Sequence, residues 1–410
     1  MRTSTPRSTF APLAVVFFFH WCASGMWNVP FSNILKTAGM EGFIASAFAC
    51  NAIAAFVSPL LVGALVDRGV HPLRLLRVLY WASAVLLALT FLAIDRKANG
   101  FLMLAAMQLH ALCFCPTTSL VTSIGMTLLQ NPSREFGPLR TAATFGWIIA
   151  GCVVSWVLAA DGSPLSGYTA AAIILVLGFT TFWLPEPNFI TAGRARNWRE
   201  LLGLDALKLL RHPDHRVILL TVTLFGMPLA AFYPFTPLHL SALGFAHPTA
   251  TMSLGQLSEI AGLLSLAYLA RRVRLKWIIF GGLLFGILRF GLFALNVPLA
   301  LLAGITLHGA CYTLHNVTAQ IYLAERVEPE MRARAQALFV MLTTGVCNLF
   351  GYLGTGWLFQ VTRTENGQRW PLYWLLLCGA TVLITVYFFR NYHGVGQGFF
   401  RQKESLPQKG

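Results

Sequence analysis

The sequence predicts an all-α, polytopic membrane protein with twelve transmembrane helices in two pseudo-symmetric six-helix bundles. Three observations predict this class: the composition, the spacing of apolar runs and an internal repeat. Of 410 residues, 56% are hydrophobic and 11% are charged, whereas a soluble domain carries roughly 25% charged residues. Water cannot be the solvent for most of such a surface. Apolar runs long enough to cross a bilayer, about 20 residues each, fall at 11–33, 43–66, 75–94, 101–129, 136–160 and 167–185. A second set follows at 217–241, 248–270, 277–295, 298–323, 334–361 and 370–390.

Taken in order, the first run follows Arg2 and Arg7 but is too long for a signal-peptide core, so it is expected to remain as the first helix. The second ends in Gly63-Ala-Leu-Val-Asp67-Arg68, a charged junction before the third. The fourth carries Leu104-Ala105-x-x-x-Leu109-His110-x-x-Cys113-Phe114, which recurs on the tenth as Leu302-Ala303-x-x-x-Leu307-His308-x-x-Cys311-Tyr312. The offset is 198, and it also places Arg134 on Arg332. A shared histidine and a shared loop arginine at one offset point to two related halves. Between them, Glu186–Arg216 is the only long polar stretch. The expected organisation is therefore a first bundle 1–185, a cytoplasmic linker 186–216, a second bundle 217–390 and a cytoplasmic tail 391–410.

Orientation follows from the basic residues. With the N-terminus inside, inner segments hold 24 of the 30 Lys and Arg, outer segments hold 5, and Arg289 alone lies within a span. The positive-inside rule then places both termini in the cytoplasm, as in a multi-pass protein of a bacterial inner membrane. The net charge of +15 is spread over these loops. No zinc-finger spacing or arginine-rich tail accompanies it, which argues against nucleic acid as a partner. All eight cysteines sit in apolar runs, and Cys113 and Cys115 point to different faces of a helix, so neither a disulfide framework nor a metal site is expected. No G-x-x-x-x-G-K-[ST] phosphate loop and no catalytic cluster is present, so the reading is a non-enzyme without cofactor. Its partners would be a small-molecule substrate, protons and the lipid bilayer.

The polar residues inside the spans carry the chemistry. Of fifteen acids, Glu259 is the only one near the middle of a span. A charge there costs about 2.5–3.5 kcal/mol on insertion scales and is expected to face a cavity or a partner. Arg289 on the ninth run is its candidate counter-ion. Two readings stand open: a proton-loading carboxylate or a structural pair that locks helices. Gln256 lies one turn from Glu259 on the same face. His308, Tyr312, Asn316 and Gln320 recur every four residues on the tenth run and form one polar stripe. Arg140, Thr144 and Trp147 stand at i, i+4 and i+7 on the fifth run, an indole to stack on a ring and a guanidinium to hydrogen-bond it.

These stretches resemble the major facilitator superfamily, specifically its nucleoside:proton symporter branch. The resemblance rests on Asn131-Pro-Ser-Arg-Glu-Phe-Gly-Pro-Leu-Arg140 with Thr144-Phe-Gly-Trp147, Ser253-Leu-Gly-Gln256-Leu-Ser-Glu259, Arg289-Phe-Gly-Leu-Phe and Arg332-Ala-Arg-Ala-Gln-Ala-Leu-Phe339. It implies a monomer of the major facilitator fold, with a solute and a proton bound between the halves and released by alternating access. It implies substrate contacts at Arg140, Thr144, Trp147 and Gln256, with Tyr312, Thr313 and Trp27 beside them. Proton coupling would fall to Glu259, Arg289 and His308, and conformational gating to the loop signature Gly63, Asp67 and Arg68. The chain departs from the branch at Pro228 and Ala231, where polar amides are usual. It departs again at Thr313, where an acid is usual, and at His308, where a Tyr is usual. Resemblance to sugar and phenylpropionate transporters keeps glycosides and aromatic acids open as solutes, and a drug exporter is the further alternative.

Overall fold

A computed structural model describes residues 5–186, 198–328 and 331–394. Almost all of them are helical, as the bilayer requires: in hydrocarbon every backbone N–H and C=O must be paired within its own segment. The sole strands among the described residues are a two-residue antiparallel pair, Arg363–Thr364 with Gly367–Gln368, at a helix–helix turn.

Two units emerge from the packing. The first comprises Met1–Leu201 with Phe232–Ser253, and the second Leu202–Ala231 with Leu254–Gly410. In the first unit α1 (Arg7–Asn28) and α2 (Phe31–Thr37) are separated at Pro30, which has no N–H to donate to the last turn of α1. They are followed by α3 (Ile44–Asp67), α4 (Pro72–Asp95), α5 (Gly100–Leu128), α6 (Pro132–Cys152), α7 (Leu165–Thr180) and the short α8 (Trp198–Leu201). The second unit opens with α9 (Pro213–Leu229). Next in the chain, α10 (Phe232–Ala242) and α11 (Pro248–Met252) belong to the first unit. The second unit then continues with α12 (Leu254–Arg272), α13 (Leu275–Ala294), α14 (Pro298–Tyr312) and α15 (Thr318–Arg326). It ends with α16 (Arg332–Val340), α17 (Cys347–Val361) and α18 (Trp370–Asn391).

Ten helical stretches among the described residues are long and apolar enough to cross a membrane. The other two predicted spans are helical but interrupted. The run 248–270 breaks at Ser253 into α11 and α12, and 298–323 consists of α14, a π-helical turn Thr313–Val317, and α15. Both carry the polar residues that the sequence singled out, which lowers their apolarity. Further π turns, Val153–Val157 and Met341–Val346, extend α6 and join α16 to α17. Helix starts follow local chemistry. Asn99 Oδ1 accepts from Phe101 N–H at 2.9 Å to cap α5, proline at the first position opens α4, α6, α9 and α14, and Pro371 is the second residue of α18.

Helices in lipid gain little from burying apolar surface against one another, so close packing holds them together. Gly146 lets α6 meet α1 backbone to backbone, because a Cβ there would strike the Phe18 carbonyl. Phe31, Phe48 and Phe91 fill the interior of the first unit, with ring centroids 5.7–5.8 Å apart. In the second unit Trp374 stacks on Phe290 at 5.7 Å and on Trp370 at 6.2 Å, fixing α18 against α13. Large apolar side chains on the outside, such as Leu264, Leu299 and Phe101, stay exposed and form the surface offered to lipid.

Candidate functional site

Polar chemistry collects in each unit separately. In the second, α12 and α14 touch along their backbones. A Cβ on Gly309 would collide with the backbone of Glu259, and Ser258 Oγ accepts from Gly309 N–H at 3.0 Å. Gly255 sits against His308, to which an added Cβ would come within 3.3 Å. These small residues set Glu259 one turn from Gly255 and directly across from the residue after His308. Glu259 is half-buried and Gln256 is buried.

Arg289 on α13 is fully buried, a rare state for a guanidinium. It lies 2.9 Å from His308 Nδ1 through Nη1. Arginine can only donate, so His308 Nδ1 accepts, and the imidazole proton resides on Nε2. The structure thus brings together two residues of the predicted proton-coupling set by a hydrogen bond, and packs the helix of the third against them. His315, one π turn further along, was not anticipated from the sequence. It is buried, lies 2.6 Å from the Cys311 carbonyl through Nδ1, and packs edge-on against Phe225 at 5.2 Å.

The stripe of His308, Tyr312, Asn316 and Gln320 remains off the buried face throughout. In an unbroken α-helix a four-residue step rotates by about 40°, and the π turn Thr313–Val317 counteracts that drift. Thr313 itself is buried against Gly262, where a Cβ would come within 3.0 Å of its Oγ1. It therefore points away from the face that carries Tyr312.

In the first unit, Arg140 is exposed, and Thr144 and Trp147 are half-buried on the next two turns of α6. Thr144 Oγ1 donates to the Arg140 carbonyl at 3.2 Å. Trp147 is bracketed by Tyr233 at 5.7 Å and Trp21 at 6.3 Å, neither of which the sequence had pointed to. Trp27 is in a different setting: it is 2% exposed and packs against Phe31 and His110. In this conformation it belongs to the core, away from the accessible face of Trp147. Pro228 and Ala231 are likewise buried.

A second polar interior runs between α1, α4 and α5. His20 lies 2.9 Å from Tyr80 and 3.2 Å from Thr118, while His110 Nδ1 lies 3.1 Å from the Ser83 carbonyl and 3.0 Å from its hydroxyl. Phe114 is stacked between the two imidazoles, at 4.9 Å from His20 and 5.5 Å from His110. His20 could have been noticed as an ionisable residue in an apolar span. At the other polar junctions, the Glu135 carboxylate accepts from Thr5 N–H and Oγ1, both at 2.7 Å, and from Asn131 N–H at 2.9 Å. Asp161 Oδ1 accepts from Ser155 Oγ at 3.0 Å and from Thr249 N–H at 2.8 Å. Of the loop signature, Arg68 is exposed, and the calls on Gly63 and the Asp67 side chain lie outside the described residues. No group of three or more His, Cys, Asp or Glu that could hold a metal occurs among the described residues.

Residues 8–395 match the family described as Nucleoside H+ symporter. The putative nucleoside transporter YegT of Escherichia coli K12 is 34% identical over 357 residues, which cover 84% of this chain and 83% of YegT. Nucleoside permease NupG of the same organism is 25% identical over 401 residues, covering 92% and 94%. The crystal structure of nucleoside transporter NupG superposes with a TM-score of 0.82 at 24% identity, covering 94% of this chain and 99% of that one. At that identity the superposition speaks for the fold, and it is the major facilitator fold. With a match that runs from the first helix to beyond the last, the chain belongs to the nucleoside:proton symporter family.

Proposed function

We propose that this protein carries nucleosides across a bacterial cytoplasmic membrane by proton-coupled symport through alternating access, with Glu259 as the proton carrier. The family supports the activity. The single observation that supports the coupling site is the hydrogen bond from the buried Arg289 to the half-buried His308, set against the helix that presents Glu259. An ionised Glu259 would be stabilised by the Arg289 charge, and a protonated one would lose that stabilisation while the Arg289–His308 hydrogen bond remains. Uptake of a proton therefore changes the electrostatic balance of α12, α13 and α14 together, and such a change can bias one conformer over another. His308 with its proton on Nε2 can pass a hydrogen bond onward without itself becoming charged.

For the nucleoside, each unit carries its own candidate contacts. Trp147, already flanked by aromatic rings, supplies a stacking face for the base, and Arg140 and Thr144 supply hydrogen bonds. Gln256 and Tyr312 would serve the second unit's share. We further propose two six-helix halves joined through 186–216, both termini in the cytoplasm as the excess of basic residues on that side supports, and a monomer as the working form.

The test is uptake of radiolabelled uridine and adenosine into cells lacking their own nucleoside carriers, with and without a protonophore. Accumulation that collapses with protonophore is expected. Glu259→Gln should abolish uphill accumulation while preserving exchange of nucleoside down its gradient. Uphill uptake persisting in Glu259→Gln would remove Glu259 from the coupling role.

A further inference from the structure

At the end of the second unit where α9 and α13 begin and α15 and α18 end, the structure holds a cavity of about 520 Å³ that transport does not use. This is well within the range of ligand-sized pockets, roughly 300–1,000 Å³. Its walls are cationic and aromatic. Arg274 and Lys276 come from the start of α13, and Arg326 from the last turn of α15. One carboxylate, that of the buried Asp214, faces these three permanent charges, which leaves an excess of two positive charges with the histidines neutral. His212, His215 and His393 add imidazole groups on the same wall.

The arrangement is held by its own contacts. Lys276 Nζ donates to the Phe389 carbonyl at 3.0 Å, satisfying a terminal acceptor of α18, and lies 4.8 Å over the Phe389 ring. His215 Nδ1 is 2.9 Å from the Tyr322 hydroxyl, and the His212 and His215 rings are 4.5 Å apart. Arg274 is exposed and Arg326 half-buried, so both guanidinium groups remain accessible for bidentate hydrogen bonds.

We propose that this cavity binds a phosphate ester, with the headgroup of an anionic phospholipid as its first source. Two guanidinium forks and an ammonium around one space match the geometry and charge of phosphate oxygens. Two features favour lipid over a soluble ester. The cavity lies at helix ends, the level of the membrane surface for a chain that spans it, and basic pockets between transmembrane helices bind anionic headgroups there. Two of its lining residues, Trp277 and Phe389, have ring centroids 6.1 Å apart and are substantially exposed, and aromatic side chains of spanning helices are enriched at the headgroup level. The proposal rests on the chain's insertion in a membrane and not on which nucleoside it carries.

The test uses the full chain purified in an uncharged detergent. Thermal unfolding is followed with a thiol-reactive dye that reports exposure of the buried cysteines. Probes are phosphatidylglycerol, phosphatidylcholine of the same acyl chains, glycerol 3-phosphate and inorganic phosphate. Phosphatidylglycerol should raise the melting temperature saturably, and phosphatidylcholine should not. The double change Arg274→Gln with Arg326→Gln should raise the half-saturating concentration about tenfold or more, the loss of two charge-assisted contacts. Its melting temperature without lipid reports whether it folds. Should the double variant fail to fold, Arg274→Gln alone, at an exposed position, must still weaken the effect. Equal stabilisation by glycerol 3-phosphate, lost in the same variants, would support the site and reassign its source to a soluble ester. Equal response to phosphatidylglycerol and phosphatidylcholine, or an unchanged response in the variants, overturns the proposal.

Discussion

The two halves of this chain hold the same histidine in opposite electrostatic settings. At the repeat offset of 198, His110 and His308 are equivalent positions. In the first half His110 is hydrogen-bonded to Ser83 and packed between neutral aromatic rings. In the second half His308 is hydrogen-bonded to a buried guanidinium. The same offset places Arg289 on Phe91, which lies fully buried among Phe31 and Tyr168, and Gly309 on Ala111. One half has kept the position as a neutral packing element, whereas the other has placed an arginine, a glycine and a nearby carboxylate around it.

The largest test of this contrast compares the partners of the two histidines. Arg289→Ala should destabilise the protein by about 1.5–3 kcal/mol, the usual worth of a hydrogen bond made by a charged group. Ser83→Ala, which removes a neutral hydrogen bond, should cost about 1 kcal/mol. Thermal unfolding of the two variants side by side measures the difference, and comparable losses would erase the distinction. Next in size, Gly309→Ala makes the second half copy the first. The added methyl meets the Glu259 backbone and should cost about 1–3 kcal/mol as overpacking. Uptake should fall more than stability, because α12 must shift its carboxylate to accommodate the methyl group.

A sharper comparison exchanges the histidines themselves. His308→Asn should alter the pH profile of nucleoside uptake, while His110→Asn should lower the melting temperature and leave that profile in place. Identical profiles in both variants would show that the repeat has not divided the labour. The smallest effect is expected at Trp147, the ring proposed to stack on the base. Trp147→Phe keeps an aromatic face but shortens it, and a loss of about 0.5–1.5 kcal/mol of ring contact should appear as a several-fold rise in KM with kcat little changed.

Much of this was readable because a bilayer imposes one rule on every span. Apolar length alone located the helices, and Arg289, His308 and Glu259 stood out because charge and hydrogen-bonding groups are costly there. Facing direction was harder to read. Trp27 and Trp147 sit in equally apolar sequence, yet one is in the core and the other is half-buried beside Tyr233. Hydropathy does not distinguish an interior from a lipid face, because both are apolar. The sequence offered Glu259, Arg289 and His308 as one set, and the hydrogen bond between Arg289 and His308 is a detail of side-chain direction on α13 that spacing alone does not give. The Asp161–Thr249 contact joins residues 88 apart through a backbone N–H, a group that no side-chain pattern reveals.

The π turn at Thr313–Val317 has a consequence in chain arithmetic. Such a turn stores one residue more than an α-helical turn of the same height, so it acts as a spacer inserted without lengthening the helix. Deleting a single residue there would let α14 and α15 fuse into a regular helix with their ends nearly where they are now. Residues beyond the turn, Gln320 and Arg326 included, would keep nearly their present direction relative to His308, because the π turn and the α-helical turn replacing it each close one full turn. The same deletion in the regular part of α14 would instead turn everything beyond it by about 100°, so the π turn is the place on this helix where chain length can change without changing its polar face.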